Sequence, residues 1–360
     1  MRRALAGLAA GVLLLALPVP AQADTVRDGQ WYTGALRLAD VHKISRGAGV
    51  TVAVIDSGVH ASHPDLAGNV LPGAGPDGGD HGTGVASLVA GHGHGPGSGD
   101  GVLGIAPEAK VLAIGRSTST LDRGMASEQV PAAIDQAIQG GAKVITLAMG
   151  GVASTALERA IQRAQAAGVV VVAGTGNTTE PGLGGVEWPA RYPGVLAVTA
   201  TGPDGLIHPV SVTGQGVVLA VPGAELNVAS ARGGYRKTSG TSLATGIAAG
   251  AVAVLRARYP DLTGPEIVKR LTATATDKGP SGVDDQYGHG VLDLLGALNW
   301  VPPAGTTSPA AASSGPAVPV RQEQVWPWAL GAGVVVVTLA AGVWLAVRRR
   351  RSAFRYREAR

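Results

Sequence analysis

Val52-Ala53-Val54-Ile55-Asp56-Ser57-Gly58-Val59 is the stretch on which the reading of the fold turns. It closes a short aliphatic run, Val50–Ile55, that does not alternate with polar residues. Such a run reads as a strand buried on both faces, and this one ends in a carboxylate. The same signature returns at Val111–Ile114, Val144–Leu147, Val169–Ala173 and Val195–Val198. Helical patterns at Gln129–Gln139 and Thr155–Ala167 fall between these runs. Strand and helix in alternation predict an α/β fold: a mainly parallel sheet with helices on both faces. Catalytic groups in such a sheet gather beyond the carboxyl ends of the strands, and Asp56 stands at one of them.

Both ends of the chain carry segments to set aside before folding is considered. Residues 1–23 read as a signal peptide: Arg2 and Arg3, an apolar stretch Leu5–Leu17, then the small-residue site Ala21-Gln22-Ala23. Residues 24–46 read as an N-terminal extension and 47–300 as the main folded domain. Residues 301–325, rich in Pro, Ala, Ser and Thr, read as a stalk. Residues 326–347 read as a transmembrane helix, with Trp326 at one boundary and Arg348–Arg351 at the other. A basic tail, 348–360, is then expected in the cytoplasm and the folded domain outside the cell membrane. The extension is too short to make a folded domain of its own.

The formal charge of +4 is concentrated at the ends, in Arg2, Arg3 and the seven arginines beyond Val347, so the rest is mildly acidic. Nothing in that balance calls for nucleic acid. There is no cysteine, so stability has to come from packing. The one Phe, Phe354, lies in the tail, which leaves Ala, Val, Leu, Ile and Gly to fill the core.

Three further segments carry chemistry. His81, in Asp80-His81-Gly82-Thr83-Gly84-Val85-Ala86, sits at the start of a helix of small residues, with glycines that would let a substrate backbone approach. Ser242, in Ser239-Gly240-Thr241-Ser242-Leu243-Ala244-Thr245, opens an apolar helix, where a serine by itself is an ordinary N-cap. Asn177 follows Gly174-Thr175-Gly176 at another strand end, where its amide can donate to an oxyanion beside the Ser242 N–H. A serine hydroxyl is a poor nucleophile until an imidazole takes its proton, and the imidazole needs a carboxylate to orient it. Asp56, His81, Ser242 is one of the chain orders in which that triad occurs.

The segments Val54-Ile55-Asp56-Ser57-Gly58, His81-Gly82-Thr83, Gly104-Ile105-Ala106-Pro107, Gly176-Asn177 and Gly240-Thr241-Ser242 resemble the subtilisin-like serine proteases over roughly Gly47 to Asn299. The resemblance implies the subtilase fold, peptide-bond hydrolysis, and Asp56, His81, Ser242 and Asn177 in the corresponding roles. The lead Val26-Arg27-Asp28-Gly29-Gln30-Trp31-Tyr32, the stalk and the single span are similar to the mycosins, membrane-anchored subtilases of type VII secretion. Three departures stand out: Gly84 in place of a second histidine, Gly246 in place of a proline, and no cysteines for the mycosin disulfides.

By the same resemblance Leu147, Ala148, Met149 and Gly150 line the primary specificity pocket, facing Gly174 and Gly176. Glu187 falls near its base, where a carboxylate favours Lys or Arg on the substrate; pointing to solvent or pairing with Arg191 are the alternatives. Gly91-His92-Gly93-His94-Gly95 reads as a flexible surface loop rather than a metal site. No cofactor is required; calcium is a possibility carried only by resemblance, with Asp65 or Asp100 as ligands. The expected partners are a protein or peptide substrate, the membrane and secretion-system membrane proteins. The alternatives are a mainly structural tethered component and a general extracellular protease.

Overall fold

The computed structural model describes residues 25–73, 78–115, 123–180 and 184–303, with the side chains of 123–128 outside that description. The expected signal peptide, transmembrane helix and tail, and the stalk beyond Pro303, lie outside the described residues. Among the described residues no helix is long and apolar enough to cross a membrane. The chain divides into two units, residues 1–301 and 302–360, and every helix and strand named below belongs to the first.

In chain order its elements are α1 (Thr25–Asp28), α2 (Trp31–Ala35), α3 (Leu38–Ile44), β1 (Thr51–Asp56), β2 (Val70–Leu71), α4 (Asp80–Ala90), β3 (His92–His94), β4 (Asp100–Leu103), β5 (Lys110–Gly115), α5 (Arg123–Gln139), β6 (Val144–Leu147), α6 (Thr155–Ala166), β7 (Val170–Gly174), β8 (Leu196–Thr201), β9 (Leu219–Pro222), β10 (Leu226–Ala229), β11 (Tyr235–Thr238), α7 (Thr241–Arg258), α8 (Gly264–Thr274) and α9 (Leu294–Asn299). Seven strands form one sheet in the order β2-β5-β1-β6-β7-β8-β9, every pairing parallel. β1 therefore lies between β5 and β6: the chain first lays β2 at the edge and β5 beside β1 on one side of it, then crosses to the other and builds outward from β6 to β9. Such a reversal opens a crevice at the strand's carboxyl end, which here is Asp56.

Alternate residues of each strand feed two apolar clusters, one on each face of the sheet. Val52 and Val54 of β1, with Val170 and Val172 of β7, pack with the α4 and α7 side. Ala53 and Ile55, with Val171 and Ala173, pack under α5 and α6. Burying each of these valines and isoleucines contributes about 1.5–3 kcal/mol, which is how a chain without a cysteine holds the layers together.

Helix α7 is the central piece. Apart from Ser242, every residue from Thr241 to Arg256 is buried, and its glycines set how close its neighbours come. A Cβ built on Gly246 would lie 2.9 Å from the Val85 carbonyl oxygen of α4. Gly84 is equally confined, 3.1 Å from Val228 Cγ2 of β10. The departures at 84 and 246 are thus places of close helix contact, and the helix-propensity cost of glycine is offset by packing that alanine would not permit.

The N-terminal extension is part of this unit. The Tyr32 side chain is wholly buried and its hydroxyl donates to the Leu103 carbonyl at 2.7 Å. Trp31 Nε1 donates to the Ala224 carbonyl at 3.1 Å, and Arg27 Nε to that of Gly101 at 2.9 Å. The histidine-glycine stretch read as a flexible loop is instead a β3–β4 hairpin, pinned where His94 Nδ1 meets the buried Asp65 carboxylate at 2.7 Å.

Candidate active site

The site is assembled where β1 and β6 end and α4 and α7 begin. Asp56 is the last residue of β1, its side chain 3 % exposed. The Ser57 N–H donates to its Oδ1 at 2.6 Å, and the Ser57 hydroxyl oxygen accepts from the Gly82 N–H at 3.1 Å, tying the start of α4 to the strand. Gly79 and Gly82 make that approach possible: a Cβ on either would fall within 2.3 Å of the Ser57 or Gly58 carbonyl oxygen. The glycines beside His81 therefore accommodate the protein's own backbone, not a substrate's as their sequence suggested.

This junction places His81, the second residue of α4, with Nδ1 2.9 Å from both carboxylate oxygens of Asp56. The imidazole remains 45 % exposed on its outer side, open to a reacting group. The Asp56 charge raises the pKa of His81; burial opposes it, and the hydrogen bond to Asp56 adds to the rise. For Asp56 burial pushes upward, but the charge and hydrogen bond of His81 and the Ser57 N–H outweigh it, so the carboxyl stays below its ordinary value.

Ser242 is the second residue of α7, the one residue of the helix's first turns that is not buried. Its hydroxyl donates to the Ala148 carbonyl at 3.4 Å, just past the end of β6, rather than to His81. Asn177 follows β7 and is fixed by the same helix: Oδ1 accepts from the Thr241 N–H at 3.0 Å and from the Thr241 hydroxyl at 3.2 Å. Its amide nitrogen donates to Glu180 Oε1 at 2.8 Å.

The residues assigned to the specificity pocket separate into two groups. Leu147 is completely buried beneath α5 and α6 and presents no surface to a ligand, a correction to its place in the pocket lining. Strand alternation explains this, since the residue before Ala148 must face the opposite side. Met149 and Gly150 are half-buried and Ala148 is nearly buried. Glu187 is 2 % exposed, held by its N–H to the Thr175 carbonyl at 2.9 Å. Its carboxylate lies against two glycines: a Cβ on Gly150 would come 1.6 Å from Oε2, and one on Gly176 3.1 Å from Cδ. Gly174 packs against Thr241, not against a ligand space. Arg191 lies over the Trp188 ring, 5.4 Å from its centroid.

Asp65, a calcium candidate by resemblance, has its oxygens engaged by His94 and by the Val102 N–H at 2.7 Å. Among the described residues no group of three or more His, Asp or Glu side chains is arranged to hold a metal ion. Glu180 gives no signal in the sequence, where Thr178-Thr179-Glu180 reads as any solvated turn.

A parallel sheet carrying an aspartate–histidine pair at its switch point, with a serine at the N-terminus of its central helix, defines a class, and comparison with known proteins agrees with it. Residues 47–290 match the Subtilase family, and the chain belongs to it. It is a subtilisin-like serine protease. It is 34% identical over 362 residues to mycosin-1 of Mycobacterium tuberculosis, covering 82% of this chain and 79% of that protein. To subtilisin E of Bacillus subtilis it is 36% identical over 262 residues, 70% of this chain and 66% of that one. Among solved structures, MycP1 with its N-terminal propeptide removed superposes with a TM-score of 0.66 at 32% identity, covering 77% of this chain and 98% of the other. MycP1 from Mycobacterium smegmatis gives 0.68 at 28% identity, covering 83% and 91%. A further MycP1 structure, described as an essential component of the type VII (ESX-1) secretion system, gives 0.66 at 30% identity, covering 78% and 91%.

Proposed function

We propose that this chain is a membrane-tethered serine endopeptidase of a type VII secretion system, with Asp56, His81 and Ser242 as its catalytic triad. The observation that carries the reading is the His81–Asp56 pair, 2.9 Å apart at the end of the central strand. The similarity to mycosin-1 and to MycP1 supports the secretion context, and the apolar segment 326–347 before four arginines supports the tether.

In this mechanism the Ser242 hydroxyl turns from the Ala148 carbonyl to His81 and attacks the scissile carbonyl carbon as its proton passes to Nε2. Asp56 holds Nδ1–H and stabilises the imidazolium. The oxyanion that forms is received by the Ser242 N–H at the α7 N-terminus and by Asn177 Nδ2. The imidazolium then protonates the leaving amine, and water, deprotonated by His81, releases the acyl group from Ser242. Glu187, behind Gly150 and Gly176, favours a substrate lysine or arginine in the adjoining subsite.

A fluorophosphonate probe applied to membranes holding the full chain tests this. Labelling of the wild type and none of Ser242→Ala is expected, with peptidase activity lost in parallel. Peptide hydrolysis by purified Ser242→Ala would remove the assignment. Export measured in a Ser242→Ala strain against a full deletion reads the secretion role: a block in the deletion alone assigns that role to the tethered fold and not to proteolysis.

A further inference from the structure

Asn177 is constrained at both ends of its amide. A backbone N–H only donates and a carboxylate only accepts, so the Thr241 N–H on one side and Glu180 on the other fix which end is oxygen and which nitrogen. The donor end therefore faces Glu180. That carboxylate is brought there by a tight turn, in which the Glu180 N–H donates to the Asn177 carbonyl at 3.1 Å. It is also close enough for its charge to add to the rise in the pKa of His81. A negative charge thus sits at the side-chain donor that serves the oxyanion, within electrostatic reach of the general base.

We propose that Glu180 is a built-in competitor at the oxyanion donor: in the resting enzyme its carboxylate occupies the Asn177 amide nitrogen and sets a negative charge where the oxyanion's charge has to develop. This rests on the reading of Asn177 as an oxyanion donor. The bond to an ionised carboxylate is stronger than one to a neutral carbonyl, so a bound substrate in its ground state does not displace it freely. Nδ2 carries two hydrogens, but as the oxyanion develops two negative charges converge on that one nitrogen and repel each other, so the carboxylate is driven to leave. Glu180 is exposed, so it can swing into water at little cost in folding, and the penalty falls on acylation. Glu180 is in this sense a positioning residue that acts through Asn177.

The test uses the full-length protein as wild type, Glu180→Ala, Glu180→Gln, Asn177→Ala and the double variant Asn177→Ala/Glu180→Ala. Two quantities are measured: kcat/KM on a peptide, and the second-order rate of inactivation by a fluorophosphonate. In the latter Ser242 Oγ bonds phosphorus, fluoride leaves, and the phosphoryl oxygen takes the oxyanion's place. Glu180→Ala is expected to raise both rates about tenfold, with Glu180→Gln between it and the wild type and the unfolding temperature unchanged. In the Asn177→Ala background the gain should vanish, a coupling that a merely structural role would not produce. A Glu180→Ala protein no faster than wild type, or an equal gain without Asn177, overturns the proposal. A wild type that does not label removes the serine-protease reading, and an Asn177→Ala protein as fast as wild type removes the oxyanion reading; either takes this inference with it. A labelled wild type that Asn177→Ala slows and Glu180→Ala leaves alone rejects the role of Glu180 only.

Discussion

Gly250 of α7 faces Ile105 so closely that a Cβ built on the glycine would stand 2.6 Å from the isoleucine's own Cβ. The contact seats the helix that carries Ser242 against the Gly104-Ile105-Ala106 segment. Gly250→Ala must push one of them aside, and overpacking of this kind costs about 1–3 kcal/mol. Chemical denaturation of the two proteins checks it: the midpoint should fall with little change in slope, and an alanine variant at least as stable as the wild type would contradict the packing described.

The acid limb of kcat/KM should lie above the ordinary histidine value of about 6.5. Only the neutral imidazole can take the serine proton, and the Asp56 charge, its hydrogen bond and Glu180 raise the pKa of His81 against burial and Arg236. Activity is therefore lost as pH falls through a value higher than usual. In Asp56→Asn the limb should move to lower pH and kcat fall by about 10⁴. A pH–rate profile of the free enzyme with its limb near 5 would rule out the coupling.

Asn177→Ala should lower kcat by about 10²–10³, the cost of one oxyanion donor, with a smaller effect on KM. Because Asn177 Oδ1 also accepts from Thr241 at the start of α7, a companion measurement of thermal unfolding separates the two roles. A drop in stability with kcat preserved would make the residue a helix cap alone.

Glu187→Gln keeps the shape behind Gly150 and Gly176 and removes the charge. Profiled on a peptide library, the wild type should prefer lysine or arginine at the subsite before the scissile bond. In the variant that preference should fall by about tenfold or more, in line with the loss of a charged hydrogen bond. An identical profile in both proteins sinks the assignment.

The five short apolar runs were legible because a strand buried on both faces has to be continuously apolar, and the structure places β1, β5, β6 and β7 within a residue or two of them, with β8 running three residues further. The edge strands were not legible. β2 is only Val70–Leu71, and β9 ends in Pro222, a residue that argues against a strand when read alone. The family and the Asp56–His81 pairing could be read from motif order, since the chemistry requires those residue types together. Glu180 could not, because its meaning comes from a turn that folds it back on Asn177. The glycines at 82, 84 and 246 misled for a related reason: a sequence shows the missing side chain but not which neighbour occupies its place.

Tyr32→Phe removes a wholly buried hydroxyl that donates to the Leu103 carbonyl and accepts from Gln30 Nε2, and should destabilise the domain by about 1–3 kcal/mol. Equal unfolding midpoints for the two proteins would show that the extension contributes nothing through this contact.

Trp31 binds the carbonyl of Ala224, 193 positions further along the chain. A ribosome adding about 5–20 residues per second needs roughly 10–40 s to cover that distance. The Trp31 indole therefore has no acceptor until most of the sheet has been synthesised, although its neighbours Arg27 and Tyr32 find theirs at Gly101 and Leu103 much sooner. Throughout that interval the indole is left open to whatever receives the newborn chain.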